Sequence, residues 1–181
     1  VNIGTDEYKG SNQEGKEAFR KYQDDLLRFI RDEMNHTPRL WGSQTENDGV
    51  TPITAENVQM YMWYVGYADA QEMYDKGYQM ININDGDVYI VPGAGYYWDY
   101  LSKSHILNTY DPTKIYGGKL VVPAGDPQML GGSYALWNDR TGKGEISEGV
   151  PRDNGTTDVE LFDRMFDILP TFGEKLWSSC K

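Results

Sequence analysis

Apolar residues recur along this chain in two rhythms, one of short compact runs and one of three-and-four spacing. Val1-Asn2-Ile3 is a short apolar strand that runs straight into Gly4-Thr5-Asp6-Glu7-Tyr8. Residues 14–35 are polar overall but carry Phe19, Tyr22, Leu26, Ile30 and Met34 at spacings of three and four, which predicts an amphipathic surface helix with that stripe turned to a core. Pro38 follows the end of the helix. Arg39-Leu40-Trp41-Gly42 then reads as a short strand closing on a loop rich in Ser, Thr, Asn and Gly. Residues 58–63 form a third strand and 67–76 a short helix, with Gly77 placed as its C-terminal stop. Residues 78–84 form a fourth strand.

The stretch 85–131 is rich in Gly, Pro and Tyr and has no helical period beyond a turn near 98–104, so it is expected to be a long functional loop. Residues 133–137 make a fifth strand. After a further polar loop, Thr157-Asp158-Val159-Glu160 is a capping box opening a final helix, whose inward face is expected to be Val159, Phe162, Phe166 and Leu169. Strands alternating with helices predict an α/β fold with a parallel sheet. No internal repeat or low-complexity tract interrupts it.

Composition narrows the function classes. The chain has 181 residues, 39% of them hydrophobic, enough for one domain with a real core. A net charge of -11 argues against a nucleic-acid partner, which needs a basic footprint. No apolar window of about 18 residues is present to span a membrane. The start at Val1 shows neither an initiator Met nor a signal-peptide pattern, so further sequence is expected upstream. The single cysteine, Cys180, can form no internal disulfide, and two sequons lie at Asn35 and Asn154. The 14 Tyr and 5 Trp combine an apolar face with a hydrogen-bonding edge, which suits stacking on sugar rings.

The chemistry is expected where parallel strands end. The five strands run out at Asp6-Glu7, Trp41, Trp63, Asn84-Asp85 and Trp137-Asn138-Asp139, which gathers acids and tryptophans at one rim. The opening Ile3-Gly4-Thr5-Asp6-Glu7 resembles the strand-end motif of the family 20 β-N-acetylhexosaminidases, and the resemblance runs on through Leu169-Pro170 and Glu174-Lys175-Leu176-Trp177. It implies the C-terminal portion, residues 1–181, of a catalytic (β/α)8 barrel, holding strands 4 to 8. Such a barrel needs about 250 residues, so its first three strands are expected outside this chain.

The resemblance also implies roles. Glu7 would be the general acid and then the base, and Asp6 would orient the substrate's 2-acetamido group. The acetamido oxygen itself would attack the anomeric carbon to give an oxazolinium intermediate, the substrate-assisted exception among retaining glycosidases. Tyr97 matches the tyrosine that donates to the acetamido carbonyl, with Tyr96 as its competitor one residue away. Trp41, Trp63 and Trp137 match the tryptophans that box the sugar. Asp139, in Trp137-Asn138-Asp139, would accept from sugar hydroxyls, and Asp99 could hold another. Many relatives carry Glu where this chain has Asp139, which resembles instead the bacterial exo-β-N-acetylglucosaminidases and lacto-N-biosidases. The family's Arg and His from early strands have no counterpart here.

Trp98 and Trp177 are expected to pack, and His36 and His105 to lie at the surface. A calcium loop at 139–150 fails because Lys143 and Val150 stand where oxygen ligands are needed, so no metal and no cofactor is expected. The leading expectation is a secreted or surface-attached bacterial enzyme that acts on glycans ending in β-linked GlcNAc or GalNAc. The runner-up is a lacto-N-biosidase, which admits a disaccharide. A third reading is a carbohydrate-binding fragment that pairs with the N-terminal half-barrel or with itself, since open strand edges invite association.

Overall fold

The computed structural model describes residues 1–139 and 156–178. Asn154, Cys180 and nearly all of 139–150 lie outside those residues. The chain divides into two compact units, residues 1–82 with 113–131 and residues 83–112 with 132–181.

In the first unit a four-stranded sheet runs in the order β1 (Arg39–Trp41), β2 (Gln59–Met62), β3 (Gln79–Asn82) and β7 (Met129–Gly132). The β1–β2 and β2–β3 pairs are parallel, as the alternation of elements predicts. The opening strand shrinks to one parallel bridge, Asn2 to Arg39, although Ile3 N–H still donates to the Arg39 carbonyl at 2.9 Å. Leu40, Met60, Met62 and Met80 are fully buried in one core with Leu27 of α1 (Gln13–Arg28) and Met73 of α2 (Ala70–Asp75). Burying each such side chain stabilises by about 1.5–3 kcal/mol, so this face holds the unit together.

Both helices of this unit show their boundary chemistry. Asn12 caps α1 by accepting from the Gly15 N–H at 2.8 Å, and the chain continues past Arg28 as a π-helical turn over Phe29–Glu33. Gly77 ends α2 at φ +90°. Its N–H donates to the Tyr74 carbonyl, and the Tyr78 N–H reaches back to Met73, the two bonds of a Schellman cap. A short antiparallel pair, β5 (Lys114–Ile115) with β6 (Leu120–Val121), completes the unit.

The inward face of α1 is rotated from the apolar stripe. Arg20, Gln23, Leu27 and Ile30 are buried, whereas Tyr22 and Met34 are exposed. The reason is polar: Gln23 bonds Ser43 and Gln44, while Arg20 donates to the carbonyls of Thr51 and Asn47. Satisfied in this way, two hydrophilic side chains take the core side of the helix.

In the second unit β4 (Tyr89–Ile90) pairs in parallel with β8 (Ala135–Leu136). The stretch 85–131 is therefore not one long loop, since it holds α3 (Asp85–Val88), β4, α4 (Lys103–Asn108), β5, β6 and the start of β7. The capping box is present: the Thr157 N–H and hydroxyl both donate to Glu160 Oε2, opening α5 (Asp158–Ser178). Its expected inward face is wrong. Leu161, Ile168 and Phe172 are buried, while Val159, Phe162, Phe166 and Leu169 are exposed, and Trp177 is 80% exposed rather than packed. A second apolar line takes the core side, with Phe172 packed on Tyr110 and Tyr134, while Tyr100 to Asp163, Lys103 to Asp167 and Lys175 to the Leu107 carbonyl bond along the exposed flank. Among the described residues no helix is long and apolar enough to cross a membrane.

Candidate active site

In the first unit the chain leaves its pairing with β1 by a sharp reversal of backbone hand. Gly4 and Thr5 adopt φ +74° and +86°, and Glu7 φ +56°. A β-branched residue at positive φ is strained by about 1–3 kcal/mol and persists only when its surroundings hold it. Here the holding groups are visible. The Thr5 hydroxyl donates to the Trp41 carbonyl at 2.8 Å, and the Trp41 N–H donates to the Gly4 carbonyl at 2.8 Å. Farther on, buried Asn47 accepts from the Gly10 N–H at 2.9 Å and donates to the Tyr8 carbonyl at 2.8 Å. Asp6 and Glu7 therefore project into solvent from a short segment tied down on both sides.

Trp41 closes β1 and Trp63 directly follows β2, so both stand at the edge of the parallel sheet toward which Asp6 and Glu7 run. The Trp41 ring stacks on Tyr61, with centroids 4.5 Å apart. Trp63 is buried, donating its indole N–H to the Gly42 carbonyl at 2.8 Å and packing on Tyr67 at 4.8 Å. Through Gly42 the two tryptophans share one stretch of backbone. An open groove lined by Val1, Asn2, His36, Thr37, Arg39 and Gln59 lies at the other, N-terminal end of these strands, away from the acid pair.

The second unit carries the other residues singled out from the sequence. Tyr97 donates its hydroxyl proton to Asp85 Oδ2 at 2.6 Å, and exposed Tyr96 donates to Asp139 Oδ2 at 3.1 Å. Trp137 follows β8, and its N–H donates to the Ile90 carbonyl at 2.9 Å. Buried Tyr89 sets its ring edge-on to both Tyr97 and Trp137, each at 5.4 Å. Asp99 is gripped by Arg164, which donates from Nε at 3.0 Å and Nη2 at 3.1 Å to its two oxygens. A sugar hydroxyl at Asp99 would meet an acid already paired. His36 is exposed, as expected. His105 is not a surface residue: it is half-buried under the Trp98 ring at 5.4 Å, with Nε2 3.2 Å from Asp87.

Asn47 and Tyr89 were not among the residues expected at the site, and Asp85 was placed at the expected rim without a role. Asn47 and Tyr89 act through partners more than a dozen residues away, except that Tyr89 also reaches Tyr97 within its own loop. Asp85 stood in plain view at the end of the fourth strand, where the Asn84-Asp85-Gly86 sequence reads simply as a turn. Among the described residues no group of three or more His, Cys, Asp or Glu side chains could hold a metal ion.

No protein-family model matches the chain, and no curated protein does. Solved structures do. The tandem GH20 catalytic modules in the pneumococcal exo-β-D-N-acetylglucosaminidase StrH align with a TM-score of 0.60 and 20% identity, over 96% of this chain and 43% of that one. A second structure, of the pneumococcal virulence factor StrH under inhibition, with N-glycan recognition and hydrolysis as its subject, gives 0.59 and 19% over the same shares. Dispersin B gives 0.50 and 17%, over 99% of this chain and 51% of its own. These structural neighbours are family 20 enzymes, and the likeness is one of fold. The chain spans about half of their length or less.

Proposed function

We propose that this chain is the part of a family 20 catalytic barrel that runs from the fourth strand to the eighth. The whole protein would remove terminal β-linked N-acetylhexosamine from glycans, with retention and with the substrate's acetamido group as nucleophile. The observation that carries the reading is the acid pair itself. Asp6 and Glu7 leave a strained Gly4-Thr5 turn that is hydrogen-bonded to Trp41, at the edge of a parallel sheet where such folds do their chemistry.

Two adjacent carboxylates cannot flank a sugar from opposite faces, as an acid and an enzyme nucleophile must. They can do two tasks on one side. Glu7 protonates the departing glycosidic oxygen and later takes a proton from the incoming water. Asp6 holds the acetamido N–H, so that the acetamido oxygen closes on the anomeric carbon and the nitrogen's growing positive charge is met by an anion. The aromatic face of Trp41, bonded to the turn before the acid pair, suits the apolar side of a pyranose; within the second unit Trp137 offers a face of the same kind and the Tyr97 hydroxyl suits an amide carbonyl. This reading places the protein outside the cell, on the glycans it trims.

The test is hydrolysis of an aryl N-acetyl-β-glucosaminide by the full-length protein, with N-acetylglucosamine thiazoline as inhibitor. Turnover with retained configuration is expected, and the thiazoline, which mimics the cyclised intermediate, should inhibit far better than free N-acetylglucosamine. Equal inhibition by the two would remove substrate assistance. No turnover of any aryl N-acetylhexosaminide would remove the hydrolase reading as a whole.

A further inference from the structure

We infer that Asp85 is a positioning residue for Tyr97, an inference that rests on the role proposed for Tyr97 above. A phenol has one proton, and the Tyr97 hydroxyl gives it to Asp85 Oδ2 at 2.6 Å, within the range of short bonds to an ionised oxygen. Bonds of this class are shorter and about twice as strong as neutral ones. The direction in which the hydroxyl points is therefore set by Asp85.

Asp85 can serve as a reference point because it is itself fixed. Its Oδ1 accepts from the Gly86 N–H at 2.7 Å, and its carbonyl accepts from the Tyr89 N–H. The adjacent Gly86 carbonyl takes the Trp98 indole N–H at 3.2 Å. One Asp-Gly pair thus holds both members of the Tyr97-Trp98 dipeptide by their side chains. The backbone of the same dipeptide is bridged to β4, where the Val91 N–H donates to the Trp98 carbonyl at 2.8 Å and the Trp98 N–H to the Tyr89 carbonyl at 3.3 Å. Tyr89 supports the ring of Tyr97 from its edge. With backbone and ring held this way, rotation of the hydroxyl is the remaining degree of freedom, and until a sugar acceptor arrives Asp85 sets it.

This arrangement has a chemical consequence for the bound sugar. While Asp85 holds the proton donor, an incoming acetamido carbonyl must draw that proton across, so the hydroxyl passes between two acceptors as the substrate cyclises. A group aligned in advance for one short swing gives up little freedom in the transition state. A hydroxyl with no anchor would have to be ordered at that moment.

The experiment is a double-mutant cycle in the full-length protein, read as kcat and KM on an aryl N-acetyl-β-glucosaminide. Asp85→Ser keeps an oxygen for the Gly86 N–H but is too short to reach Tyr97, and Asp85→Ala serves as a second truncation should the first not fold. Tyr97→Phe is expected to lower kcat by about a hundredfold, as removal of one preorganised donor does. Each folded Asp85 truncation is expected to lower kcat about tenfold with little change in KM, and to lower it no further in a Tyr97→Phe background. An Asp85 truncation with wild-type kcat overturns the inference, and so does one whose loss persists in full beside Tyr97→Phe. If Tyr97→Phe itself turns over like wild type, it is the proposed role of Tyr97 that fails, and the inference with it.

Discussion

The Thr5 hydroxyl donates to the Trp41 carbonyl at 2.8 Å while Thr5 itself sits at φ +86°. A strained residue that carries its own tether has a separable structural and functional part. Thr5→Val keeps the shape and the strain but removes the donor. It is expected to cost about 1 kcal/mol in stability, the usual worth of one hydrogen bond, and to lower kcat more than that loss accounts for, because the acid pair is released. Thr5→Ser should behave as wild type. Thermal melting beside steady-state kinetics checks both, and a Val variant with full kcat would separate the turn from catalysis.

Replacing Glu7 by Gln removes a proton and keeps the volume. Turnover of substrates with poor leaving groups is expected to fall by about 10² to 10⁴, with binding of N-acetylglucosamine thiazoline retained. The comparison of a natural disaccharide with an activated aryl glycoside reads this out, since only the former depends fully on the acid.

Asp6→Asn should lower the rate and should not be rescued by azide. In the proposed mechanism the nucleophile belongs to the substrate, so no pocket is vacated for an external anion. Formation of a glycosyl azide by this variant would point to an enzyme nucleophile instead.

Glu17 offers a pH test on the first unit. The Thr51 side chain, the Val50 and Thr51 N–H groups and Gln13 all bond its carboxylate and pull its pKa from 4.5 down to about 2. A depressed carboxylate pKa contributes stability above the unfolded value, and that contribution is lost as pH falls through the folded one. The melting difference between wild type and Glu17→Gln is therefore expected to be constant above pH 4.5 and to close as pH falls toward about 2. A difference that stays the same across this window would deny Glu17 its role.

The rotated face of α1 can be tested directly. Leu27→Ala is expected to cost about 2–5 kcal/mol, as truncations of buried leucine do, while Tyr22→Ala at an exposed site should stay within about 0.5 kcal/mol. Denaturant unfolding of the two variants distinguishes the buried side from the apolar stripe.

That contrast also explains what was legible beforehand. The strands at residues 39–41, 59–62 and 79–82 could be read because each centres on a short apolar run, half-buried in alternation in the first two and buried on both faces in the third. The two long helices were found, but of the stripe expected inward on α1 Ile30 is buried while Tyr22 and Met34 are exposed, and the face expected inward on α5 is exposed. In α1 the core side includes Arg20 and Gln23, whose partners lie at residues 43–51 and leave no local trace, and α5 carries a second apolar line, Leu161, Ile168 and Phe172, which is the one buried. β4, β5 and β6, two residues each in a stretch rich in Gly, Pro and Tyr, show no period, whereas β8, equally short, lies inside the strand expected at 133–137. The acids and tryptophans proposed for the site drew notice for a simple reason: each stands where an apolar run stops. Asn47, Asp85 and Tyr89 support them from behind, by contacts that only the folded chain brings about.

Tyr89 makes T-shaped ring contacts with both Tyr97 and Trp137. If the two residues contact sugar as proposed, any redesign of sugar preference would find them coupled through Tyr89. A larger or smaller side chain at Trp137 shifts the ring that steadies Tyr97, and the reverse holds as well. Useful variants should then arise in combinations that include position 89, and libraries that vary one aromatic at a time should return mostly losses.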